Sequence, residues 1–468
     1  MLILPEITLL FFSVLFLLVA VSKAKATIVS TPVRGLSLLV LLASVLSITG
    51  SGVLFSGAYQ VTLFSQIFKL LLAAGFCLVI FMLDISGEIE KGFYAEYFMF
   101  LSFSVLGLMM LSSAMELMTI VISLEISSYS LYVIVPLRKA QTKVQLEASV
   151  KYLFFGAVST GIMLYGMSYL YGISHSTFLA DIITALPKFT NKPMMVFALI
   201  LTLTGFFFKL SLFPMHFWAP DIYEGASNAT TAFIATVPKI AATAVLIRIA
   251  MLGVFGSPDF ASVLMVLSAL SMTFGNLVGL VQKDIKRLLA YSGIAHAGYL
   301  MMGVIALTKN GNASAIYYMA VYLFMNLGCF YAVMLLSKSG GNVMLNDLAG
   351  LSKRAPLLGF MLAVSAFSLA GIPPTGGFMG KFFLFTNALA QGYLTLVIIG
   401  TVNTVISIFY YLNIVRMSYT KEAVGSESLS LALSFPQKVV CLIYIAIILY
   451  LGVMPSSLME IFRASITF

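Results

Sequence analysis

The feature that most constrains the fold of this chain is its succession of apolar runs, each about as long as a bilayer is thick. A membrane-spanning helix needs about 20 apolar residues, and runs such as 4–22, 62–83 and 437–455 meet that requirement. Hydrophobic residues make up 61% of the 468 residues and charged residues only 9%, unlike a soluble domain. The sequence therefore predicts an all-α polytopic membrane protein with about fourteen transmembrane helices and no sizeable water-soluble domain.

The apolar runs also predict where individual helices lie. The run at 356–388 is too long for one straight span and carries GIPPTGG at its centre, so we expect one helix with an interrupted middle. The predicted spans are 4–22, 34–56, 62–83, 93–113, 115–136, 149–171, 193–213, 228–252, 259–281, 285–307, 313–337, 356–388, 394–418 and 437–455.

These spans group into four segments. Residues 1–92 are expected to form an N-terminal three-helix segment, 93–252 and 259–418 two five-helix repeats, and 419–468 a C-terminal helix. An odd number of helices per repeat makes the second repeat start on the opposite side of the membrane, so the repeats are expected to be inverted. Interrupted helices at matching places in two such halves indicate an ion or substrate site near the membrane midplane.

The distribution of charge predicts the topology. The first run is expected to remain as a helix, because its positive charges follow the apolar residues instead of preceding them. The net charge of +9 reflects loop residues that set topology, not a nucleic-acid site. One side carries 17 of the 26 basic residues, namely Lys23, Lys25, Arg34, Lys91, Arg138, Lys139, Lys143, Lys151, Lys283, Lys286, Arg287, Lys338, Lys353, Arg354, Arg416, Lys421 and Lys438. By the positive-inside rule that side is cytoplasmic, which places both termini on the outer face.

Prolines interrupt one helix in each repeat. Pro214 follows Lys209 in the run MMVFALILTLTGFFFKLSLFPMHFWAP, and Pro373 and Pro374 precede Lys381. Because proline has no N–H, each break leaves helix carbonyls without their usual partners. Such groups need water, side chains or neighbouring helices inside a membrane, so water is expected at both breaks.

The freed carbonyls are predicted to be those of Leu210, Leu369 and Ala370, each four residues before a proline. A lysine beside a hydrated break can gain and lose a proton, which would make each break a working site. The alternative is a lysine that extends to the lipid headgroups.

Four ionisable residues within apolar spans are the main candidates for chemistry: Glu125, Lys209, Lys239 and Lys381. A charged side chain at mid-membrane costs about 2.5 to 3.5 kcal/mol on insertion scales and is read first as functional. A carboxylate near Lys209 would hold that lysine protonated, and separating the pair would release the proton. Alternatively, neighbouring serines satisfy Glu125, and Lys239 is an interfacial anchor.

Four further polar residues lie near the breaks or at a similar depth. His216 and His296 suit a relay because histidine titrates near physiological pH, although structural roles are nearly as well supported. Asp221 and Glu224 follow Pro214, where they either line a cytoplasmic route to the site or cap the following half-helix.

The three cysteines do not indicate a metal or redox centre. Cys77, Cys329 and Cys441 are far apart within apolar runs, with no spacing that builds a zinc or iron–sulfur site. We expect them to be packing residues, and we expect no metal and no redox cofactor in this chain.

Three stretches resemble a known family. GFFFKLSLFPMHFWAPDIYEGASNATTAFIATVPKIA, KDIKRLLAYSGIAHAGYLMMG and SLAGIPPTGGFMGKFFLF are similar to the antiporter-like subunits of respiratory complex I, related hydrogenases and multisubunit sodium/proton antiporters. The PDIYEGA and VPK sequences, with a lysine on the second broken helix, are most similar to the N-type subunits of complex I, the group of NADH dehydrogenase subunit 2.

The resemblance implies fourteen helices, two inverted repeats, a Glu125–Lys209 pair, a central relay lysine at Lys239 and an exit-side lysine at Lys381. It also implies partner subunits that include further antiporter-like chains and that hold NADH, FMN, iron–sulfur clusters and quinone. We expect no counterpart of the long lateral helix found elsewhere in the family, since about a dozen residues follow the last span.

The leading hypothesis is a proton-translocating, non-redox subunit of a bacterial inner-membrane NADH:quinone oxidoreductase. One alternative keeps the fold but places the chain in a multisubunit sodium/proton antiporter or a membrane-bound hydrogenase. A secondary solute transporter is another, since transporters also use inverted repeats and broken helices. A structural scaffold, whose buried charges only fix helix register, is the last.

Overall fold

The computed structural model describes residues 2–22, 26–83, 87–139, 143–188, 192–251, 258–337, 340–420 and 431–466. Four of the basic residues used for topology, Lys23, Lys25, Lys338 and Lys421, lie outside this set. The described residues include 12 helices long and apolar enough to cross a membrane, and two shorter apolar helices, Pro32–Leu46 and Pro356–Ala370. The expected all-α polytopic fold is confirmed.

The chain divides into two compact units, of which unit 1 contains Met1–Leu264 and Ser465–Phe468. A short antiparallel hairpin, β1 (Gly52–Leu54) and β2 (Tyr59–Val61), accompanies its helices. The helices are α1 (Leu4–Val21), α2 (Ala26–Leu46), α3 (Leu63–Leu83), α4 (Tyr94–Ser113), α5 (Leu117–Ile134), α6 (Lys143–Ser174), α7 (Leu179–Ala185), α8 (Lys192–Leu210), α9 (Trp218–Gly225) and α10 (Asn228–Met251).

The hairpin changes one predicted span. The run at 34–56 was expected to be a single helix, but α2 ends at Leu46 and the following residues turn into β1. The backbone groups of the hairpin find partners in the turn between α4 and α5, where the Met115 N–H donates to the Ala58 carbonyl at 2.9 Å. The hairpin thus provides hydrogen-bond partners for backbone N–H and C=O groups, which cannot remain unpaired inside a membrane.

Two features of unit 1 concern the helices that carry the candidate residues: α6 packs closely on α8, and α10 is buried. Glycines allow close helix contact, since a Cβ on Gly166 of α6 would come within 2.4 Å of the Thr202 backbone on α8. Helix α10 lies at the centre of the unit, and its apolar membrane-spanning stretch is entirely buried. A helix that is apolar all round and fully enclosed is a core element, so a charge on it is removed from lipid and water alike.

Unit 2 contains Met265–Ala464. Its main helices are most of α11 (Pro258–Gly279), α12 (Ile285–Ile305), α13 (Lys309–Leu336), α15 (Pro356–Ala370), α16 (Gly376–Ala390), α17 (Leu394–Thr420) and α18 (Phe435–Val453), with the short α14 (Leu351–Arg354) and α19 (Ser456–Ser465).

The core of unit 2 is built around α12 and α13, which are almost entirely buried. Helices α15 and α16 pack against α13, and the interruption between them runs from Gly371 to Thr375. Gly371 has φ +86°, a left-handed conformation that glycine adopts without strain, and it ends α15. The predicted 356–388 helix is therefore two half-helices that meet at Pro373 and Pro374.

Candidate functional site: buried charges at two helix breaks

The first break places Lys209 in the last turn of α8. Its side chain is only 2% exposed, and its ammonium nitrogen has no hydrogen-bond partner within the described part of the chain. A cation at a helix C-terminus is favoured by the helix dipole, which partly offsets its burial. Lys209 is therefore desolvated, and the dipole of α8, not a direct ion pair, stabilises its charge.

The chain after Lys209 turns sharply and is held by the indole of Trp218, the single tryptophan of the sequence. Its Nε1–H donates to the Phe208 carbonyl at 3.0 Å, and the Ser211 N–H donates to the same oxygen at 3.0 Å. The Trp218 ring stacks on Tyr152 of α6, with ring centroids 5.1 Å apart. An aromatic side chain thus closes the break and supplies a donor for a carbonyl that the helix leaves free.

Glu125, on α5, is half-buried and accepts a hydrogen bond from the Thr160 hydroxyl of α6 at 2.7 Å. The Ser159 hydroxyl, next to Thr160, donates to the Thr204 carbonyl of α8 at 3.1 Å. Helix α6 therefore connects the carboxylate to the helix of Lys209. The Glu125 carboxylate acts electrostatically on Lys209, but the two do not form a hydrogen-bonded ion pair.

Lys239 and His216 are both buried in unit 1. Lys239 follows Pro238 on α10 and is 2% exposed. His216 is 1% exposed, and its ring stacks against Phe213 and Phe217, with centroids at 5.2 and 4.2 Å. The histidine ring is thus packed among aromatic rings beside the break.

Asp221 and Glu224 lie on α9, the half-helix that follows the first break. The Asp221 carboxylate pairs with Lys151 of α6 at 2.6 Å, so it bridges two helices. The Glu224 carbonyl accepts from the Arg138 guanidinium at 3.0 Å, and the same nitrogen donates to the Gly225 carbonyl at 3.1 Å. The two acidic residues therefore belong to polar contacts that anchor α9, with Arg138 capping its C-terminus.

In unit 2, Lys381 occupies the second break directly. Its ammonium donates to the carbonyls of Leu369 and Ala370 at 3.1 and 3.0 Å, and it lies 4.7 Å from the ring centroid of Tyr299. These are the two carbonyls that Pro373 and Pro374 were predicted to free. The lysine thus satisfies the polar backbone of the break that precedes it.

His296 stands in a buried group of hydroxyls. Its Nδ1 is 2.5 Å from the Tyr318 hydroxyl and its Nε2 is 3.0 Å from the Tyr411 hydroxyl, which also contacts Ser292. Either nitrogen can donate or accept according to the tautomer. The same helix, α12, carries Tyr299, so the histidine network and the face that receives Lys381 belong to one rigid element.

The sequence pattern did not indicate several residues of these sites. Tyr299, Tyr318 and Tyr411 read as ordinary aromatic residues of apolar spans, and Thr160 as a helix-packing residue. Trp218 had a usable signal, because a buried indole N–H usually finds a hydrogen-bond acceptor and the nearby proline break frees backbone carbonyls. The tyrosines offered no such signal.

A polytopic helical protein with a buried lysine beside each of two helix breaks has the features of an ion-translocating membrane subunit. Comparison with known proteins identifies the group. The chain belongs to the family described as NADH:quinone oxidoreductase/Mrp antiporter, TM, which matches residues 114–407.

Individual relatives agree with this assignment. The chain is 44% identical over 423 residues to NADH-quinone oxidoreductase subunit N 2 of Opitutus terrae, covering 89% of this chain and 87% of that protein. It is 45% identical over 422 residues to subunit N 2 of Solidesulfovibrio magneticus, covering 90% and 89%. A chain of respiratory complex I from Thermus thermophilus with bound aureothin matches with TM-score 0.84 and 29% identity, over 97% of this chain and 98% of that one.

Proposed function

We propose that this chain is a proton-translocating membrane subunit of an NADH:quinone oxidoreductase. The observation that carries the proposal is the placement of Lys209 and Lys381, each buried at an interrupted helix in a chain related to subunit N proteins. Buried intramembrane lysines are costly, and they are retained where they bind or move an ion.

The loading step involves Glu125 and Lys209. The carboxylate is held by Thr160 and acts on the lysine without contacting it, so a small movement of α5, α6 or α8 changes their attraction. Closer approach favours protonated Lys209, and separation favours release of its proton. Redox energy from partner subunits would drive that change.

Transfer and release involve Lys239, Lys381 and His296. In this proposal the proton passes from Lys209 to Lys239 and reaches Lys381, which releases it on the outer face. The carbonyls of Leu369 and Ala370 stabilise the protonated form of Lys381, so release requires the break to loosen. The His296 hydroxyl network supplies donors and acceptors that can carry a proton within unit 2. Asp221 and His216 serve the access side.

The chain itself carries no electrons in this proposal. NADH, FMN, iron–sulfur clusters and quinone belong to partner subunits of the same complex in a bacterial inner membrane, as do further antiporter-like chains. The relatives named as subunit N of NADH-quinone oxidoreductases support this placement.

The proposal is tested with Lys209→Ala and Glu125→Gln in the assembled complex. Both variants are expected to assemble, to lose proton pumping and to lower the quinone reductase activity that depends on coupling. Lys309→Ala, which alters an exposed lysine at the start of α13, is the matched control and should behave as the unmodified complex. Normal pumping stoichiometry in both test variants would reject the proposal.

The family description also includes the Mrp antiporters, so a sodium/proton antiporter is the second candidate. Purification of the native complex with its subunits identified separates the two. Quinone-reducing partner chains support the first proposal, whereas small antiporter subunits without a redox module support the second.

A further inference from the structure

A second set of buried charges lies in unit 1, away from both helix breaks. The Lys69 ammonium of α3 contacts the Glu6 carboxylate of α1 at 2.6 Å, and their side chains are 0% and 8% exposed. The Tyr59 hydroxyl of β2 donates to the same carboxylate oxygen, Oε1, at 2.5 Å. The other oxygen of Glu6, Oε2, is buried and has no hydrogen-bond partner among the described residues.

Arg248 of α10 completes this set, which we call the α1–α3–α10 cluster: Glu6, Tyr59, Lys69 and Arg248. Its guanidinium donates to the Ser112 carbonyl at 2.7 Å and lies 5.6 Å from the Phe64 ring centroid. It also acts electrostatically on Lys69 and Tyr59. The arginine is 1% exposed, so the cluster contains two buried cations and one carboxylate.

The charge count shows which group can exchange a proton. With Lys69 protonated, the cluster carries a net positive charge in an enclosed site, and with Lys69 neutral it carries none. Burial of net charge is unfavourable, and arginine does not lose its proton in proteins. Lys69 is therefore the group whose deprotonation balances the cluster.

We propose that Glu6 and Lys69 form a second proton-exchange site of unit 1, with Tyr59 orienting the carboxylate and Arg248 supplying a fixed positive charge. The Lys69 ammonium gives up one proton and becomes a neutral amine, and Glu6 accepts that proton and passes it to water. The Glu6 oxygen that Lys69 contacts, Oε1, is the acceptor for this step. The inference rests on the proposed proton-translocating function.

The position of the cluster fits an exchange site at the membrane surface. Glu6 lies in the first turn of α1 and is the most exposed of the four residues. Arg248 is nine residues after Lys239 on α10, which separates them by about 13 Å along the helix. The Arg248 contact to Ser112 also connects α10 to the last turn of α4, the helix that precedes the Glu125 helix α5.

Other charged groups do not change this count. The Arg34 guanidinium of α2 lies 5.8 Å from the Phe81 ring centroid, which places it near the far end of α3 from Lys69. The α4 residues beside the cluster, Ser112 at Arg248 and Ser113 at Tyr59, are uncharged.

The decisive variant is Lys69→Arg in the assembled complex. Arginine keeps the charge and the ion pair but cannot release a proton, so a structural ion pair tolerates the change and an exchange site does not. The expected result is normal assembly and thermal stability with a loss of proton pumping. Lys438→Arg, at an exposed lysine of α18, is the matched control and should leave pumping unchanged.

The double variant Glu6→Gln with Lys69→Met covers the case in which arginine does not fit the buried site. Replacing both partners of a buried pair by neutral groups is commonly tolerated, whereas removing one partner is destabilising. Assembly with a loss of pumping supports the proposal. Pumping at the normal ratio of protons to electrons in either assembled variant overturns it and leaves the cluster a structural contact.

These outcomes separate the two proposals. If Lys209→Ala abolishes pumping while the Lys69 variants pump normally, only the exchange site is rejected. If Lys209→Ala also pumps normally, the proposed function of the chain itself is rejected.

Discussion

The Lys381 ammonium lies 4.7 Å from the ring centroid of Tyr299 while it donates to two carbonyls of the preceding half-helix. A cation over an aromatic face gains about 2 kcal/mol when desolvated. Because Tyr299 belongs to α12 and Lys381 to α16, this contact connects the helix of His296 to the second break. The ring stabilises the lysine charge without neutralising it, which is compatible with the proton release proposed for Lys381.

Replacing Tyr299 with leucine removes the aromatic face from Lys381. We expect Tyr299→Leu to assemble and to lower pumping, because the protonated lysine loses about 2 kcal/mol of stabilisation. Tyr299→Phe keeps the ring and serves as the control, although it loses the contact of the hydroxyl with Asn276 at 3.2 Å. Pumping is measured in membrane vesicles, and equal pumping by both variants contradicts a role for the ring.

Thr160→Val removes the hydroxyl that donates to Glu125 and keeps the shape of the side chain. A hydrogen bond to a charged group contributes about 1.5 to 3 kcal/mol, so the carboxylate should be held less firmly and the coupling to Lys209 should weaken. The measurement is the rate of coupled quinone reduction together with proton uptake. Thr401→Val, at an exposed position of α17, is the control, since the Thr401 hydroxyl donates to the Val397 carbonyl of its own helix. Unchanged rates in Thr160→Val would show that Glu125 needs no support from α6.

Trp218→Phe keeps an aromatic ring beside Tyr152 but removes the indole donor. The Phe208 carbonyl then keeps the Ser211 N–H, and the loss of one of its two hydrogen bonds costs about 0.5 to 1.5 kcal/mol. We expect a lower thermal stability of the assembled complex and a smaller effect on pumping than Lys209→Ala gives. Thermal inactivation of the two complexes is compared with the wild type. A melting temperature equal to that of the wild type would count against a capping role for Trp218.

We expect the Glu116 carboxylate, at the N-terminus of α5, to make the stability of the protein depend on pH. Burial raises the pKa of its carboxyl, but hydrogen bonds from the Thr119 N–H and hydroxyl, at 2.7 and 2.8 Å, together with the Thr177 hydroxyl and the Met118 N–H, more than offset this and hold the pKa below its usual range. A lowered pKa in the folded state means that the stabilisation is present above the unfolded-state pKa, about 4.3, and is lost as the pH falls through the lowered value.

Glu116→Gln should therefore reduce stability at neutral pH, by about 1 kcal/mol or less, and the difference from the wild type should shrink in acid. Thermal inactivation of the complex across a pH series provides the measurement. Glu460→Gln, at an exposed carboxylate of α19, should show no such trend. A difference that persists unchanged at low pH would contradict the assignment.

Much of the fold follows from local sequence. The apolar runs predict the spans, and Pro214, Pro373 and Pro374 predict the breaks, because chain length, burial and the missing proline N–H act within a few residues. The prediction of one helix at 34–56 was wrong, because the second half of this run leads into a hairpin that pairs with the turn after α4. That pairing joins segments far apart in the chain, which a local pattern does not show.

The α1–α3–α10 cluster shows that an apolar segment alone does not reveal the partner of a buried charge. Lys69 lies within a predicted span and meets the same criterion as Lys209, yet its partner is 63 residues away near the N-terminus. From the sequence, Glu6 is interpreted as a residue at a membrane surface, because it lies in the first turn of a helix. Only packing of α1 against the neighbouring helices reveals it as the counter-charge of a buried lysine.

By itself, the sequence determined the helical membrane fold, the two interruptions and the charged groups within the apolar spans. The tertiary structure decided the surroundings of each charge. Lys381 contacts two freed carbonyls and a tyrosine ring, and Lys69 forms a direct ion pair. Lys209 interacts electrostatically with a carboxylate that it does not contact. The reason is that a helix apolar on all sides carries no periodic signal of its rotation, so which face meets which neighbour is set by packing alone.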